Sequence, residues 1–377
     1  MEVTAVLPTI GRRLAPQPTT GSLAAPEWLE AQLVTTRELV ADFTHRRSTE
    51  YFVAPGTAVL RETLAEFVVS GKYLRSTFAA LGWLCGRPES RQALKAAAGL
   101  ELLHAFALIQ DDVMDESATR RGAPTVHVRL ADWAADRLVD PARFGRSAAV
   151  LLADLCLVWS ERMLRECGLP RASLDRAWPV FDLMRSELAV GQYGDLLNED
   201  LHTAQLDDVL DVARRKSGNY SVRRPLELGA ALAGCGPAVT AALGQYGAAI
   251  GEAFQLRDDV LGVFGDPAVT GKPIGDDLRQ HKATTIVVAA RDLAGHHQAE
   301  QLQKLARDRP APGSQEDAWV EQWQDLIQAC GAASWAEEAI AGRVRTARAA
   351  LDAEPSIPEL PRETLEFLAD HCTSRTR

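Results

Sequence analysis

Apolar residues return every three or four positions along most of this chain, and strand-like alternation is nearly absent. One segment carries Leu100, Leu103, Ala107 and Met114, and another Val150, Leu151, Leu155, Val158 and Leu164. That spacing gathers apolar side chains on one face of a helix. Ala, Leu, Glu and Arg, all strong helix formers, dominate between the breaks. The breaks fall at Gly86-Arg87-Pro88, Arg121-Gly122-Ala123-Pro124, Gly168-Leu169-Pro170, Gly234 to Pro237 and Asp266-Pro267. They delimit roughly ten or more helices with no repeat of fixed period. The expected fold is all-α, a single large helical bundle around a central cavity. With 377 residues, 46% of them hydrophobic, the chain is long enough to bury a large core. Residues 1–25, rich in Pro, Thr and Gly, read as a flexible leader, and 26–377 as the helical domain. A Pro-rich stretch from Arg309 to Gly313 is a candidate linker, but the amphipathic helices after it are expected to pack on the same body.

The net charge of −10 and pI of about 5.4 argue against a nucleic-acid partner, which wants a basic face. No unbroken apolar run approaches the ~18 residues of a membrane helix. The best, Ala148 to Trp159, is interrupted by Asp154, so no transmembrane segment is expected. Arg12 and Arg13 are followed by polar and Pro residues, unlike a signal peptide. The six cysteines lack metal-type spacing and read as reduced thiols of a cytoplasmic protein.

The most informative stretch runs from Leu102 to Asp115, where an apolar helix delivers Asp111, Asp112 and Asp115. Asp111 and Asp115 are four apart and share a helix face, with Cβ atoms about 5–6 Å apart. Two carboxylates so placed suit Mg²⁺, which takes one or two carboxylates plus substrate phosphates. Asp112 points away and reads as a supporting residue. A solvated acidic helix end is the plain alternative, but three acids at a helix C-terminus oppose the macrodipole. Arg120 and Arg121 follow, an Arg pair suited to diphosphate oxygens.

The segment Phe254-Gln255-Leu256-Arg257-Asp258-Asp259-Val260-Leu261-Gly262 repeats this grammar. Gly271-Lys272, Asp276-Asp277 and Lys282 come after it. Two such helix ends facing each other would cage two or three Mg²⁺ ions and one diphosphate. Gln192, Asp195, Lys216, Ser217 and Tyr220 lie between the motifs, and Lys72 and Arg75, three apart, form a candidate second anion site upstream.

In order, Gly-Lys-x-x-Arg, Asp-Asp-x-x-Asp, Arg-Arg-Gly, Gly-Gln, Lys-Ser, Phe-Gln-x-x-Asp-Asp and Gly-Lys, the chain resembles the trans-polyprenyl diphosphate synthases over about residues 30 to 370. The wording is similar to that of actinobacterial geranylgeranyl diphosphate synthases. The resemblance implies that Asp111, Asp115 and Asp258 ligate Mg²⁺, with Asp112 and Asp259 in support. It implies that Arg120, Lys216 and Lys272, with Lys282 nearby, hold the diphosphate of an allylic substrate (dimethylallyl, geranyl or farnesyl). Lys72, Arg75, His104 and Arg121 would hold the diphosphate of isopentenyl diphosphate. Ser217, Tyr220 and Gln255 would line the reacting carbons, with Gln192 in the substrate site. A homodimer is implied as well. Ser70, Tyr73 and Ser76 depart from the family's Gly, Arg and Pro, and Gln110 stands where a His is frequent. Gly262 stands where the second motif usually ends in Asp.

The implied reaction is head-to-tail condensation to a linear trans-polyprenyl diphosphate. Phe106 and Ala107, five and four residues before Asp111, form the family's chain-length pattern for geranylgeranyl diphosphate (C20), with Leu103 as a deeper floor. A farnesyl or other chain-length product, a class I terpene cyclase and a non-catalytic partner subunit are the alternatives. A cyclase usually carries a different second metal motif, which Asn219-Tyr220-Ser221 does not supply, and partner subunits tend to lose the aspartates kept here.

Overall fold

A computed structural model describes residues 24–197, 204–266, 274–280, 282–311 and 313–373. The leader call on residues 1–25, apart from its last two, lies outside the described residues, as do Lys272 and the final four positions. Helix dominates throughout, and the only ladder among the described residues is a pair of two-residue strands. The chain forms two compact units, divided at Ala177 and Trp178, with Leu228–Cys235 returning to the first.

The first unit contains α1 (Ala25–Tyr51), α2 (Ala58–Val69), α3 (Leu74–Leu84), α4 (Arg91–Met114), the strands β1 (Thr119–Arg120) and β2 (Ala123–Pro124), α5 (Val126–Ala134) and α6 (Pro141–Arg165). Its axis is α4, which packs along α6 and α3 and also touches α1, α2 and α5. The Ser90 hydroxyl caps α4 by accepting from the Ala93 N–H at 3.3 Å. Asp140 caps α6 from the Arg143 N–H at 3.0 Å, with Pro141 at the first helical position. By length and composition α4 is apolar enough to cross a membrane, although Lys95 and Glu101 interrupt its apolar run. Most of that apolar window is buried inside the unit, and its far end bears the acids. On α6 the core face is Ala149, Leu152, Cys156, Trp159 and Met163. Of the stripe picked out by periodicity, Leu164 is buried and Leu155 packs on the core, but Leu151 is 66% exposed and Val158 59%.

The second unit holds α8 (Leu206–Val212), a π-helix (Ala213–Arg223), α10 (Pro237–Phe264), α11 (Asp276–Arg279), α12 (Thr285–Leu293), α13 (His296–Arg307), α14 (Ser314–Ala329), α15 (Ala332–Asp352) and α16 (Glu359–Thr373). α7 (Arg171–Leu197) and α9 (Arg224–Ala233) contribute residues to both units. α10 is the axis here, packed on α15 and on the π-helix. Val260, Val263, Leu278, Ile286, Trp319 and Trp323 share one core cluster, so α14, beyond the Pro-rich stretch, does join this body.

The π-helix has a local cause. Pro225 sits two residues beyond it, and its ring excludes the carbonyl four residues back. The chain widens ahead of it, and the Arg224 N–H reaches the Asn219 carbonyl, five residues away. This wide turn is seated against α10 through two glycines. A Cβ at Gly251 would meet Gly218 Cα at 2.6 Å, so backbone lies directly on backbone.

Candidate active site

In the first unit, α4 ends at the acids and the chain doubles back at once. Arg121 and Gly122 both have positive φ, 54° and 75°, the conformation that closes a two-residue hairpin in the twist of its strands. The hairpin returns Arg120 over the end of α4. Its Nε donates to Asp112 Oδ1 at 2.6 Å and its Nη2 to Asp111 Oδ2 at 3.1 Å. Arg121 turns elsewhere and donates to the Ser70 hydroxyl at 2.8 Å. Asp115 caps α4, its N–H reaching the Asp111 carbonyl.

Asp112 is fully buried, and burial pushes its carboxyl up to about 6 despite the Arg120 guanidinium. Its Oδ2 is a buried acceptor without a hydrogen bond among the described residues. No group of three or more His, Cys, Asp or Glu side chains among the described residues is drawn together as a ready-made metal site. A half-buried carboxylate pair beside one unsatisfied oxygen fits a hard cation whose remaining ligands come from water and phosphate.

Close by is the second set of cations. Lys72 and Arg75 flank the start of α3, where Tyr73 is held at φ 53°. The Tyr73 ring is buried, its hydroxyl donates to the Val68 carbonyl at 3.0 Å, and the Arg37 guanidinium lies 5.9 Å from its centre. Non-glycine residues at positive φ are sparse and gather at functional sites. Tyr73 and Arg121 are two of the three described here. Burial, then the charges of Arg75, Arg121 and Arg120, hold His104 well below the ordinary imidazole range, so it is neutral at pH 7. Glu101, one turn earlier, was missed by sequence reasoning. It is buried and accepts from Ser76 N at 2.9 Å and Ser76 Oγ at 2.7 Å. Its charge acts on both Arg75 and Arg121. Proline at position 76, usual in the family, would lack both donors. Phe106 and Ala107 are half-buried on α4; Phe106 packs on the core cluster, and Leu103 is fully buried.

In the second unit the π-helix carries Lys216, Ser217 and Tyr220. Lys216 Nζ pairs with Asp195 Oδ2 on α7 at 2.5 Å, one helix turn from Gln192. Asp258 is half-buried near the end of α10. Asp259 points inward. Its Oδ2 accepts from the Thr285 N–H at 2.9 Å and from the Thr285 hydroxyl, and its Oδ1 from Gln255 Nε2 at 2.8 Å. Burial outweighs these bonds and pushes its carboxyl up to about 7. Thr285 had no signal in the sequence; only the fold brings it to the motif. Lys282 gives its N–H to the Asp277 carbonyl at 3.0 Å, which ties it to α11. Arg257, inside the motif, turns away and forks onto Glu337 at 2.7 Å through both terminal nitrogens.

The chain is similar to known proteins. A sequence profile described as Polyprenyl synthetase matches residues 57–322. A geranylfarnesyl diphosphate synthase of Aeropyrum pernix is 33% identical over 310 residues, 81% of this chain and 91% of the relative. A geranylgeranyl diphosphate synthase of Mycobacterium tuberculosis is 35% identical over 296 residues, 77% of each chain. Among solved structures, a geranylgeranyl pyrophosphate synthase from Corynebacterium glutamicum, complexed with isoprenyl diphosphate and magnesium, superposes with a TM-score of 0.85 at 35% identity, covering 92% of this chain and 99% of that one. The profile spans most of the chain and the relatives exceed 30% identity over most of its length, so the chain belongs to the polyprenyl synthetase family and is a prenyltransferase.

Proposed function

We propose that the chain condenses an allylic diphosphate with isopentenyl diphosphate and releases geranylgeranyl diphosphate. The observation that carries this reading is the Arg120 fork across Asp111 and Asp112 at the end of the helix that also bears Phe106. Asp111, Asp115 and Asp258 are the proposed ligands of two or three Mg²⁺ ions, with Asp112 and Asp259 orienting them. Bound there, Mg²⁺ would act as a Lewis acid that makes the allylic diphosphate a leaving group.

The chain's own residues do the rest. Arg120, Lys216 and Lys272, with Lys282 nearby, bind the allylic diphosphate and meet the charge that grows as it departs. Lys216 must exchange Asp195 for phosphate oxygens. Lys72, Arg75, Arg121 and the neutral His104 bind the second diphosphate, His104 as a hydrogen-bond donor rather than a charge. Ser217, Tyr220 and Gln255 line the reacting carbons, and the buried Tyr220 helps exclude water from the allylic cation. Gln192 completes the wall. The double bond of isopentenyl diphosphate attacks, and a proton leaves to the departed diphosphate.

Chain length follows from α4. Phe106 lies one turn below the acids and is proposed to stop the growing tail. Incubation with labelled isopentenyl diphosphate, farnesyl diphosphate and Mg²⁺ is expected to give linear C20, and Phe106→Ala a product at least one isoprene unit longer. An unchanged C20 product from the variant would remove the ruler. A cyclic hydrocarbon from the parent would favour a cyclase, and no turnover a partner subunit.

We further propose a homodimer in a reducing, cytoplasmic setting. All six cysteines are free. Leu151 and Val158 are exposed seven residues apart on α6, and Leu183, Val190 and Leu197 are exposed at the same interval on α7. Such outward apolar rows mark association surfaces. Light scattering at micromolar concentration is expected to read twice the 40.9 kDa chain mass, and charged substitutions at Leu151 and Val158 to bring it to one. A parent that stays monomeric disposes of the idea.

A further inference from the structure

Lys216 ends a run of three cations, Arg214-Arg215-Lys216, on the π-helix. A carboxylate meets each of them. Lys216 pairs with Asp195 on α7, Arg215 Nε donates to Asp211 Oδ2 at 2.6 Å, and Arg214 Nε donates to Glu252 Oε1 on α10 at 2.9 Å. Glu252 is shared. Its Oε2 accepts from Arg343 Nε, on α15, at 2.7 Å, so one carboxylate stands between two guanidiniums from different helices. Burial works to raise that carboxyl, but the two arginines outweigh it and hold it below the usual carboxylate range. We infer that Glu252 is a positioning residue for the allylic site: it clamps Arg214 to α10 and α15, and so fixes the turn of the π-helix that aims Lys216.

The element has need of a clamp. Wide π turns are rare and occur mostly one at a time inside α-helices. Here they run over the 11 residues Ala213–Arg223. Converting one of them to α geometry would swing the side chains on its two sides relative to each other by about 100°, the angular advance of one residue. Lys216 would then turn away from Asp195. Pro225 defines the far end of the element, and backbone contact holds its middle. A Cβ on Gly191 would lie 2.6 Å from the Lys216 nitrogen, and one on Gly251 would lie 2.6 Å from Gly218 Cα. At the near end the tie is Arg214, which reaches Glu252 and, through Nη1, Asp211 Oδ1 at 3.2 Å. Asp211 lies on α8, which runs straight into the π-helix and would move with it. Glu252 belongs to α10, the axis of the unit, and is therefore the anchor of the two. Leu210 of α8 packs beside this bridge on Ala253 and Leu256 of α10 and Ile340 of α15. Apolar contact and ion pairs thus join the same elements at one corner, and the Glu252 carboxylate is the part that grips the π-helix itself.

This inference rests on the proposed reading of Lys216 as a ligand of the allylic diphosphate, and the test separates the two. Initial rates are measured at saturating Mg²⁺ with farnesyl diphosphate and isopentenyl diphosphate varied in turn, alongside melting curves. Glu252→Gln, which keeps the shape and removes the charge, is expected to raise KM for farnesyl diphosphate. Its kcat/KM for that substrate should fall about 10–100-fold, since displacing a positioned group by about 1 Å costs up to about 10²-fold. KM for isopentenyl diphosphate is expected to stay at the parental value, because Lys72, Arg75, His104 and Arg121 lie in the other unit. A purely structural role would lower the melting temperature and move both constants together or neither. Arg214→Gln/Glu252→Gln is expected to be no worse than Glu252→Gln, because both break one contact. Arg343→Gln, which removes the other half of the clamp, is expected to move the same constant in the same direction, and it carries the test if Glu252→Gln does not fold. A KM for farnesyl diphosphate that is unchanged, or that rises in step with the KM for isopentenyl diphosphate, overturns the inference. Lys216→Ala is the control. If it leaves the KM for farnesyl diphosphate unchanged, the reading of Lys216 fails, whereas a rise with Lys216→Ala but not with Glu252→Gln removes the Glu252 assignment alone.

Discussion

Asp111→Ala is expected to lower kcat/KM on the order of a thousandfold, since a metal-assisted leaving group gains several kcal/mol and each ~1.4 kcal/mol is a factor of ten. The fold should tolerate the change. Asp111 sits in the last turn of α4, where a negative charge opposes the helix dipole. Arg120 keeps its shorter bond to Asp112 at 2.6 Å. The variant should therefore melt within a few degrees of the parent while its rate collapses at every Mg²⁺ concentration. Steady-state rates across a Mg²⁺ series, with melting curves on the same preparations, test both halves. A variant at a tenth of the parental rate or better would show that Asp111 is not a metal ligand.

Asp259→Ala is expected to act the other way round, through stability first. It strips the buried Thr285 of the acceptor for both its N–H and its hydroxyl, and Gln255 loses its partner. Leaving buried donors unsatisfied costs about 1–3 kcal/mol. At about 2–4 °C per kcal/mol for a domain of 150–250 residues, the melting temperature should fall by several degrees. There is also a pH signature in the metal-free protein. The native carboxyl titrates at about 7 against 3.8 for the ordinary group, so the folded state holds a proton that the unfolded chain releases. That contribution is complete below about 3.8 and is lost as pH rises through about 7. The gap between parent and variant should therefore narrow from pH 5 to pH 8. A gap that widens with pH would mean that Asp259 is ionised in the fold and that its bonds, rather than its burial, set its charge.

These two aspartates show what can be read from a sequence and what cannot. The helices carrying them were legible because apolar spacing and adjacent acids are both local signals, and α4 and α10 are indeed the axes of their units. The direction of each acid was half legible. Helical geometry separates Asp111 from Asp112 by about 100°, but nothing local says that Thr285 lies where Asp259 points. The strands escaped notice because a two-residue ladder has no period to detect. The π-helix was not read either, although Pro225 directly after the Ser217–Arg224 stretch was the available signal. Glu101 was legible in retrospect, as a lone carboxylate inside Leu100-Glu101-Leu102-Leu103 with a neighbour three residues later also meant for the interior. The apolar row of Leu151 and Val158 was seen, but periodicity gives a helix its stripes without saying which one faces the core.

The hairpin after α4 ties two regions together in one turn. Arg120 belongs to the aspartates and Arg121 to Ser70, yet they are consecutive residues on a loop closed by a ladder of two residues a side. Drawing Arg120 off its carboxylates strains the same turn that aims Arg121. Whatever free energy one anion spends in moving that turn is felt by the other, in equal measure and in both directions. On the proposed assignment of one diphosphate to Arg120 and the other to Arg121, the two substrates are thermodynamically linked before their carbons ever meet, through a lever only a few residues long.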